Sequence, residues 1–339
     1  MRAQLITFLA GTLCLASASA RDTDFHGPNR VSFNTRFMFN VRAEFTGMGD
    51  FPVRTHPGAA LDGIDHFYDD GFNRVDSSGN AGGDTWFWGY DHGAQVQNDA
   101  LLMSTSHVPP GATSRKAASD PHLGFEMAYA REIHSQRGFR WGMEGAFGYT
   151  DIAIRDGRGL QGDVVRVTDA FALEGTIPPA PPYSGTFEGP GPLLADLPVR
   201  SVQVVPGAAE ITGRRNLDAH LFGVRVGPYI EVALFAPLSL QLGAGLALAY
   251  IDSEFTFIET TTVAGAGSAT RAGSSSGSGF RGGGYVDAKV AVALTPRWSL
   301  FGGAQYQRLG RFSQEAEARR VQLDLGDSVS VTLGAAVSF

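Results

Sequence analysis

Two groups of side chains carry whatever chemistry this sequence can do. The first is a set of charged residues on one face of alternating segments: Arg36, Arg42, Glu44, Glu126, Glu132, Arg140, Glu144, Arg225, Glu231, Asp287 and Lys289, with Gln305 and Gln307. If the opposite faces are apolar, these charges turn toward a shared interior. An isolated charge there is very costly, so each needs a partner. Opposite signs occur in similar numbers, which favours an interior filled by ion pairs. A narrow polar path for small solutes is the alternative. The second group is Phe67–Asp91, reading FYDDGFNRVDSSGNAGGDTWFWGYD, which sets Trp86, Trp88 and Tyr90 beside Asp76 and Asp84. Exposed aromatic faces beside carboxylates can stack on sugar rings, so this stretch is a candidate loop for a glycan or other small ligand. Aromatics that form the loop's own core are the alternative.

Other signals are weaker. Asp76, Ser78 and Asn80 have the one-apart oxygen spacing of a calcium loop. Ala81 stands where that loop needs Gly, and Phe87 stands where it needs the closing Glu. Gly273-Ser274-Ser275-Ser276-Gly277 formally matches a hydrolase elbow, but it lies in a Gly/Ser tract with no strand-to-helix turn. His107, His122 and His220 fall near predicted strand ends without a paired serine motif. No catalytic residue, metal ligand set or cofactor site is assigned, and the expectation is a protein that is not an enzyme.

The elements that must position these residues are strands. Val31, Phe33, Phe37, Phe39, Val41 and Phe45 share one face of a long alternating run, and Arg36, Arg42 and Glu44 share the other. The run exceeds the ~5–6 residues usual in soluble sheets and reaches the ~9–11 that cross a bilayer. Similar segments lie near 121–134, 139–154, 217–235, 238–257, 284–294, 298–309 and 328–339. With 31–45 they predict an all-β chain of eight strands. Their connections alternate long and short, with long loops near 46–120, 156–215, 258–284 and 311–327. The tract Ala272–Gly279 reads as flexible linker. The first loop also holds short candidate strands at 72–76, 85–90 and 100–107, so ten spanning strands are the alternative count. Hairpins standing above the membrane are preferred, because each run is shorter than a span. Val164–Val167 and Val199–Val205 suggest another raised hairpin. Trp298, Tyr129, Tyr149, Tyr250 and Tyr306 fall near strand ends, where interfacial aromatics belong.

Composition narrows the class. The 339 residues include 44 Gly and 23 Phe, and the net charge of −7 argues against nucleic acid as a partner. Met1-Arg2, the apolar run Leu5–Leu15 and Ala18-Ser19-Ala20 read as a signal peptide over 1–20, cleaved before Arg21. The single cysteine, Cys14, lies inside it, so the mature chain is expected to have no thiol chemistry and no disulfide.

The last eleven residues, Val329–Phe339, alternate apolar with small or polar residues and end on an aromatic. Together with the long–short alternation of connections, this resembles bacterial outer-membrane β-barrels of the small class that includes the OmpA membrane domain, OmpX and OmpW. The resemblance implies a transmembrane antiparallel up-and-down barrel with short periplasmic turns and long extracellular loops. It implies the outer membrane as address, contact with its lipid and lipopolysaccharide, and an insertion signal in Leu333, Val337 and Phe339 read by the barrel-assembly machinery. With strands predicted from about ten residues after the cleavage point to the final residue, no periplasmic domain of the kind OmpA carries is expected. The function expected is a non-enzymatic surface protein with a structural, ligand-binding or adhesive role through its loops. A narrow porin-like channel is second, and a barrel enzyme acting on lipid A is third. Deleting Phe339 should lower the yield of inserted protein in an assembly assay. Undiminished insertion of that truncation would contradict the closing-strand reading.

Overall fold

The computed structural model describes residues 27–53, 65–75, 82–136 and 138–339. The expected signal segment, its cleavage point and the stretch 76–81 lie outside these. Eight long strands run through the chain: β1 (Asn29–Phe39), β2 (His122–Gln136), β3 (Phe139–Asp156), β4 (Val199–Phe235), β5 (Leu238–Val263), β6 (Gly267–Ala293), β7 (Trp298–Arg308) and β8 (Ser328–Ser338). Each pairs antiparallel with its neighbour in this order, and β1 pairs with β8, so the sheet closes into a ring. Closure satisfies every ladder within the ring and leaves no open edge there, as a bilayer requires. Among the described residues no helix is long and apolar enough to cross a membrane.

Alternation gives each strand an inner and an outer row, and on β3, β4 and β5 both rows change character partway along. On β4 the outer row runs Val232, Ile230, Val226, Val224 and Phe222, all exposed and apolar, then turns polar at His220, Asp218, Asn216 and Arg214. The inner row does the reverse. Glu231, Tyr229 and Arg225 give way to Leu221, Ala219 and Leu217, all buried. The same inversion occurs on β3, where Tyr149 is followed outside by Asp151 and Glu144 is followed inside by Ile152 and Ile154. Phe125, Tyr149, Phe222, Tyr250 and Phe280 are cross-strand partners at this boundary. Their neighbouring rings lie 5.6, 5.3, 6.4 and 5.0 Å apart. Such a line of rings, apolar in body and polar-tolerant at the edge, marks where lipid meets water.

Beyond that line the ring opens into a sandwich. The extended ends of β3, β4, β5 and β6 form one sheet. Arg42–Met48, Ala112–Ala117, Arg311–Ala316 and Arg319–Asp324 form a second, four-stranded sheet. Val41, Ala43, Phe45, Phe312, Val321 and Leu323 from the second sheet pack on Ile152, Leu217, Ile251, Phe255 and Phe257 of the first.

Two expectations are corrected here. The alternating run 31–45 is not one strand. Asn40 takes a φ of 62°, the left-handed region that Asn tolerates. The face parity flips there, so Val41 and Phe45 are buried in the sandwich rather than facing lipid. The segment 258–284 is also not a flexible loop. β5 and β6 pair residue by residue from Leu238↔Val292 out to Val263↔Gly267, joined only by 264–266.

Further out, Leu160–Ala172 pairs with the end of β4, including Val164↔Val205 and Val167↔Val202, and with Ala100–His107 on its other side. A small head packs against this sheet. It is built from 65–75, 82–99 and 173–198, around Tyr68, Trp88, Tyr90, Leu101, Met103, Phe171, Leu173 and Leu194. The short strands Gly71–Asn73, Asp84–Thr85 and Trp88–Tyr90 belong to this head and not to the ring.

Leu242 and Val290 lie on the outer row in the apolar zone, each 42% exposed. Arg at either position should lower unfolding free energy by about 2–4 kcal/mol in lipid, the cost of a cation near mid-bilayer. Denaturant titration in vesicles checks this, and a negligible change at both sites would refute the assigned outer row.

Candidate functional site

The interior of the ring is a closed network of charge. The Arg225 guanidinium donates to both carboxylate oxygens of Glu126 at 2.8 and 2.9 Å and to Glu144 at 2.7 Å. Asp287 stands 3.4 Å from Arg225 and 3.4 Å from Lys289 in ionic contact. Lys289 reaches Glu144 at 2.7 Å. Toward the short turns, Glu231 accepts from Arg30, Arg140 and Ser239, each at 2.8 Å. Arg140 also lies 3.7 Å from Glu132. Gln241 joins the two halves, accepting from Arg30 at 2.5 Å and donating to Glu144 at 2.9 Å. Toward the sandwich, Arg36 contacts Glu126 at 3.4 Å and donates to Ser330 and Gln307 at 3.0 and 3.2 Å.

The network follows from barrel size. Eight strands enclose an interior just wide enough for side chains to fill. Low dielectric there makes each unpaired charge costly, and charge-assisted hydrogen bonds are the compensation. The void beside Lys289, Gln241 and Phe301 holds about 20 Å³, close to the room one water needs. Above the network, Leu221, Ala219, Ile251 and Tyr285 are buried in the apolar cluster that continues into the sandwich, and a cavity of about 610 Å³ lies beside Tyr285, Leu309 and Gly283.

Of the interior residues read from sequence, Arg36, Glu126, Arg140, Glu144, Arg225, Glu231, Asp287 and Lys289 are brought together here, with Gln305 and Gln307 at the top. Arg42 and Glu44 are not. They lie past the Asn40 parity flip, on the outer face of the strand Arg42–Met48. Arg30, Gln241 and Ser239 were missed. Arg30 falls one residue before the predicted strand start. Gln241 stands between Leu240 and Leu242, so the alternation that would have found it was present.

A second buried charged layer sits within the sandwich. Arg319 donates to Glu259 at 2.6 and 3.0 Å. Arg158 donates to Asp156 at 2.8 Å, and Ser114 bonds the same carboxylate. Arg215, 1% exposed, donates to the Arg158 carbonyl at 2.5 Å. Sequence reading placed Glu259 and Asp156 in loops and so passed over them.

The aromatic–acidic stretch is only partly a surface. Trp88 and Tyr90 are buried at the centre of the head, which corrects their assignment as an exposed stacking platform. The Trp88 indole donates to the Pro192 carbonyl at 2.8 Å, the Trp86 indole donates to Phe187 at 2.9 Å, and Tyr90 bonds the Pro179 carbonyl. Three aromatic donors thus fasten the proline-rich segment 178–192, which has few amide donors of its own. Trp86 is half-buried, and Asp84 lies on a short strand opposite Ala195. Asp76, with the calcium-like spacing 76–80, lies outside the described residues. Among the described residues no group of three His, Cys, Asp or Glu side chains is placed to hold a metal.

The head has its own ion pair, with a buried carboxylate and an exposed guanidinium. Arg200 grips Asp169 with two bonds of 2.8 Å, and Tyr68 donates to it at 2.7 Å. Burial pushes the Asp169 carboxyl up, but the bonds from Arg200 and Tyr68 outweigh this and hold it below the usual carboxylate range. A lowered value means this pair stabilises the head at neutral pH, and the contribution is lost as pH falls through it. Burial, with the Asp169 bond, pushes the Tyr68 phenol up. Burial, and then the neighbouring Asp84 charge, raises Asp196.

His220 is on the exterior at the aromatic line, 2.8 Å from the Tyr149 hydroxyl and 3.3 Å from Asp151. His122 lies 3.6 Å from Asp120, and His107 ends the strand paired with Val165. Ser275 of the elbow-like motif sits in the middle of β6, bonded by Gln314 at 2.9 Å.

No family model matches the chain, and no curated protein matches it. Among solved structures it is similar to Ail, the attachment invasion locus protein of Yersinia pestis, at 11% identity and a TM-score of 0.27, over 92% of this chain and 99% of that one. It is also similar to the outer membrane protease OmpT from Escherichia coli, at 8% identity and a TM-score of 0.35, over 95% of this chain and 100% of that one. Likeness at these scores carries no argument. The closed antiparallel ring, its apolar exterior and its polar interior are themselves the architecture of a small outer-membrane β-barrel.

Arg225 is the hub of the interior, 4% exposed, with three carboxylates around it. Replacing it with Met should cost about 3–5 kcal/mol by leaving those charges uncompensated. Adding E126Q to R225M should recover part of the loss. Denaturant midpoints of the single and double variants check this, and an R225M barrel of unchanged stability would contradict the network.

Proposed function

We propose that this chain is a non-enzymatic outer-membrane β-barrel that acts through what it holds outside the cell, its lumen being closed. The observation that supports this best is the crowded interior: paired charges around Arg225, followed by a buried apolar layer, oppose passage of a polar solute. The apolar outer row and its aromatic boundary fit contact with outer-membrane lipid and lipopolysaccharide. The closing strand, with Leu333 exposed at 68% and Val337 and Phe339 beyond it, fits recognition by the barrel-assembly machinery. On this reading 1–20 is the signal that sends the chain across the inner membrane. The short turns are periplasmic, and the sandwich and head are extracellular.

The length of β4 supports a display role. It runs from the membrane through the sandwich to the head as a single strand, with a bulge at 206–208 where Gly207 takes a φ of 66°. The strand that forms part of the barrel wall thereby also carries the head. The surface it offers is not the predicted Trp88–Tyr90 platform, which is internal. Binding of a glycan or other partner then falls to the head's exterior.

Refolded mature protein in a planar bilayer should give no discrete conductance steps at moderate voltage. Reproducible single-channel steps from protein shown to be folded would overturn the closed-lumen reading and favour the porin-like alternative.

A further inference from the structure

We propose that Val199–Val205, the outermost stretch of β4, is a self-pairing edge through which copies of this chain on two facing membranes associate strand to strand. This rests on the reading of the chain as a surface-display barrel.

β4 has a neighbour on both sides only from Ala209 inward, where β5 begins to pair. From Val199 to Val205 it pairs on one side alone, with Leu160–Ala172. The other edge meets no strand among the described residues. Val199 is 77% exposed, Val202 62% and Val204 55%. Natural edges are usually blunted by charge, by bulges or by proline within the strand. Here the bulge at Pro206–Ala208 adjoins the stretch without entering it, and the only charge on it is Arg200, whose solvent-exposed guanidinium is bonded to buried Asp169 through two bonds of 2.8 Å. Pro198 and Pro206 bound the stretch, so an added strand has a defined place and length.

Strand direction selects the occupant. All copies in one membrane run β4 the same way, so their edges cannot pair antiparallel with each other. Copies on facing membranes run opposite ways and can be related by a two-fold axis through this edge. A register centred on Val202 sets Val202 against Val202 of the second copy. Ser201 then faces Gln203, Arg200 faces Val204, and Val199 faces Val205. No like charges oppose each other, and every exposed valine gains a cross-strand neighbour. The stretch lies beyond the turn 264–266 that ends the β5–β6 hairpin, so the long hairpin does not cover it. One such pair is small. Many pairs between two membrane faces add by multivalency.

The test uses the refolded mature protein in two populations of vesicles carrying different fluorophores, with insertion verified by heat-modified gel mobility and outward heads by protease access. Mixed vesicles should co-cluster. V202K, which places like charges on the axis, should reduce co-clustering at least tenfold without changing the gel shift. The only cysteine, Cys14, lies in the segment expected to be removed. Under mild oxidation, V202C should therefore link into dimers between vesicles, and V204C, whose counterpart is Arg200, should not. Inserted protein that leaves vesicles dispersed, clustering unaffected by V202K, or equal cross-linking of V202C and V204C would each overturn the proposal. Dispersed vesicles bearing a non-conducting barrel would leave the closed-lumen reading intact. Clustering by a conducting barrel would overturn that reading and spare this one.

Discussion

The structure depends on one constraint: the strands that continue beyond the membrane must satisfy two solvents in turn. In lipid, a strand can expose only apolar side chains, and its polar ones must turn inward and pair. In water the preference reverses, because apolar burial is the main source of stability. β4 obeys both rules along one strand, with Val224 outside and Arg225 inside, then Asp218 outside and Leu217 inside. Strand alternation cannot itself reverse, so it is the residue types on each face that change. The aromatic line from Phe125 to Phe280 marks where they change. The four-stranded lid over the outer half follows from this, since the apolar inner row there needs a second sheet to bury it.

The membrane half was largely legible in the sequence, because lipid imposes a simple period-two pattern on long segments. The strand cores at 123–133, 139–149, 222–234, 238–250, 286–294 and 298–306 carry it plainly. The outer half was not, for physical reasons visible in particular residues. The tract 272–279 has linker composition, yet its glycines are packed. A Cβ at Gly273 would come within 2.8 Å of Phe257, and one at Gly277 within 3.1 Å of Gln314. Small residues mark close approach of the lid there, and composition alone reads the same letters as flexibility. Asn40 hid another boundary, since a single left-handed residue preserves the appearance of a continuous run while exchanging its faces. The lumen set was found where alternation held and lost past that residue, at Arg42 and Glu44. The inward direction of Trp88 and Tyr90 could not be read, because their burial depends on Leu194 and Tyr183, about a hundred residues away in the chain.

These features set what the molecule can do. A lumen filled with reciprocal ion pairs fixes the register of the strands around it. Rigidity then serves position: the head is held away from the membrane by strands that also form the barrel wall. The head's buried Asp169 ties Tyr68, on one segment, to Arg200, at the end of β4. The outermost strand edge is thereby fastened to the head's packing.

The central claim is the inversion of polarity along the strands that leave the membrane, and depth profiling tests it most directly. Single spin labels would be placed at the outer-row positions 232, 226, 222, 218, 214 and 210 of β4 in lipid vesicles. Their collision rates with oxygen and with a water-soluble relaxant would then be compared. The account predicts oxygen-dominated collisions through 222 and relaxant-dominated collisions from 218 outward, with the crossover between Phe222 and Asp218. A lipid signature that continues through 214, or water access at 226, would contradict it.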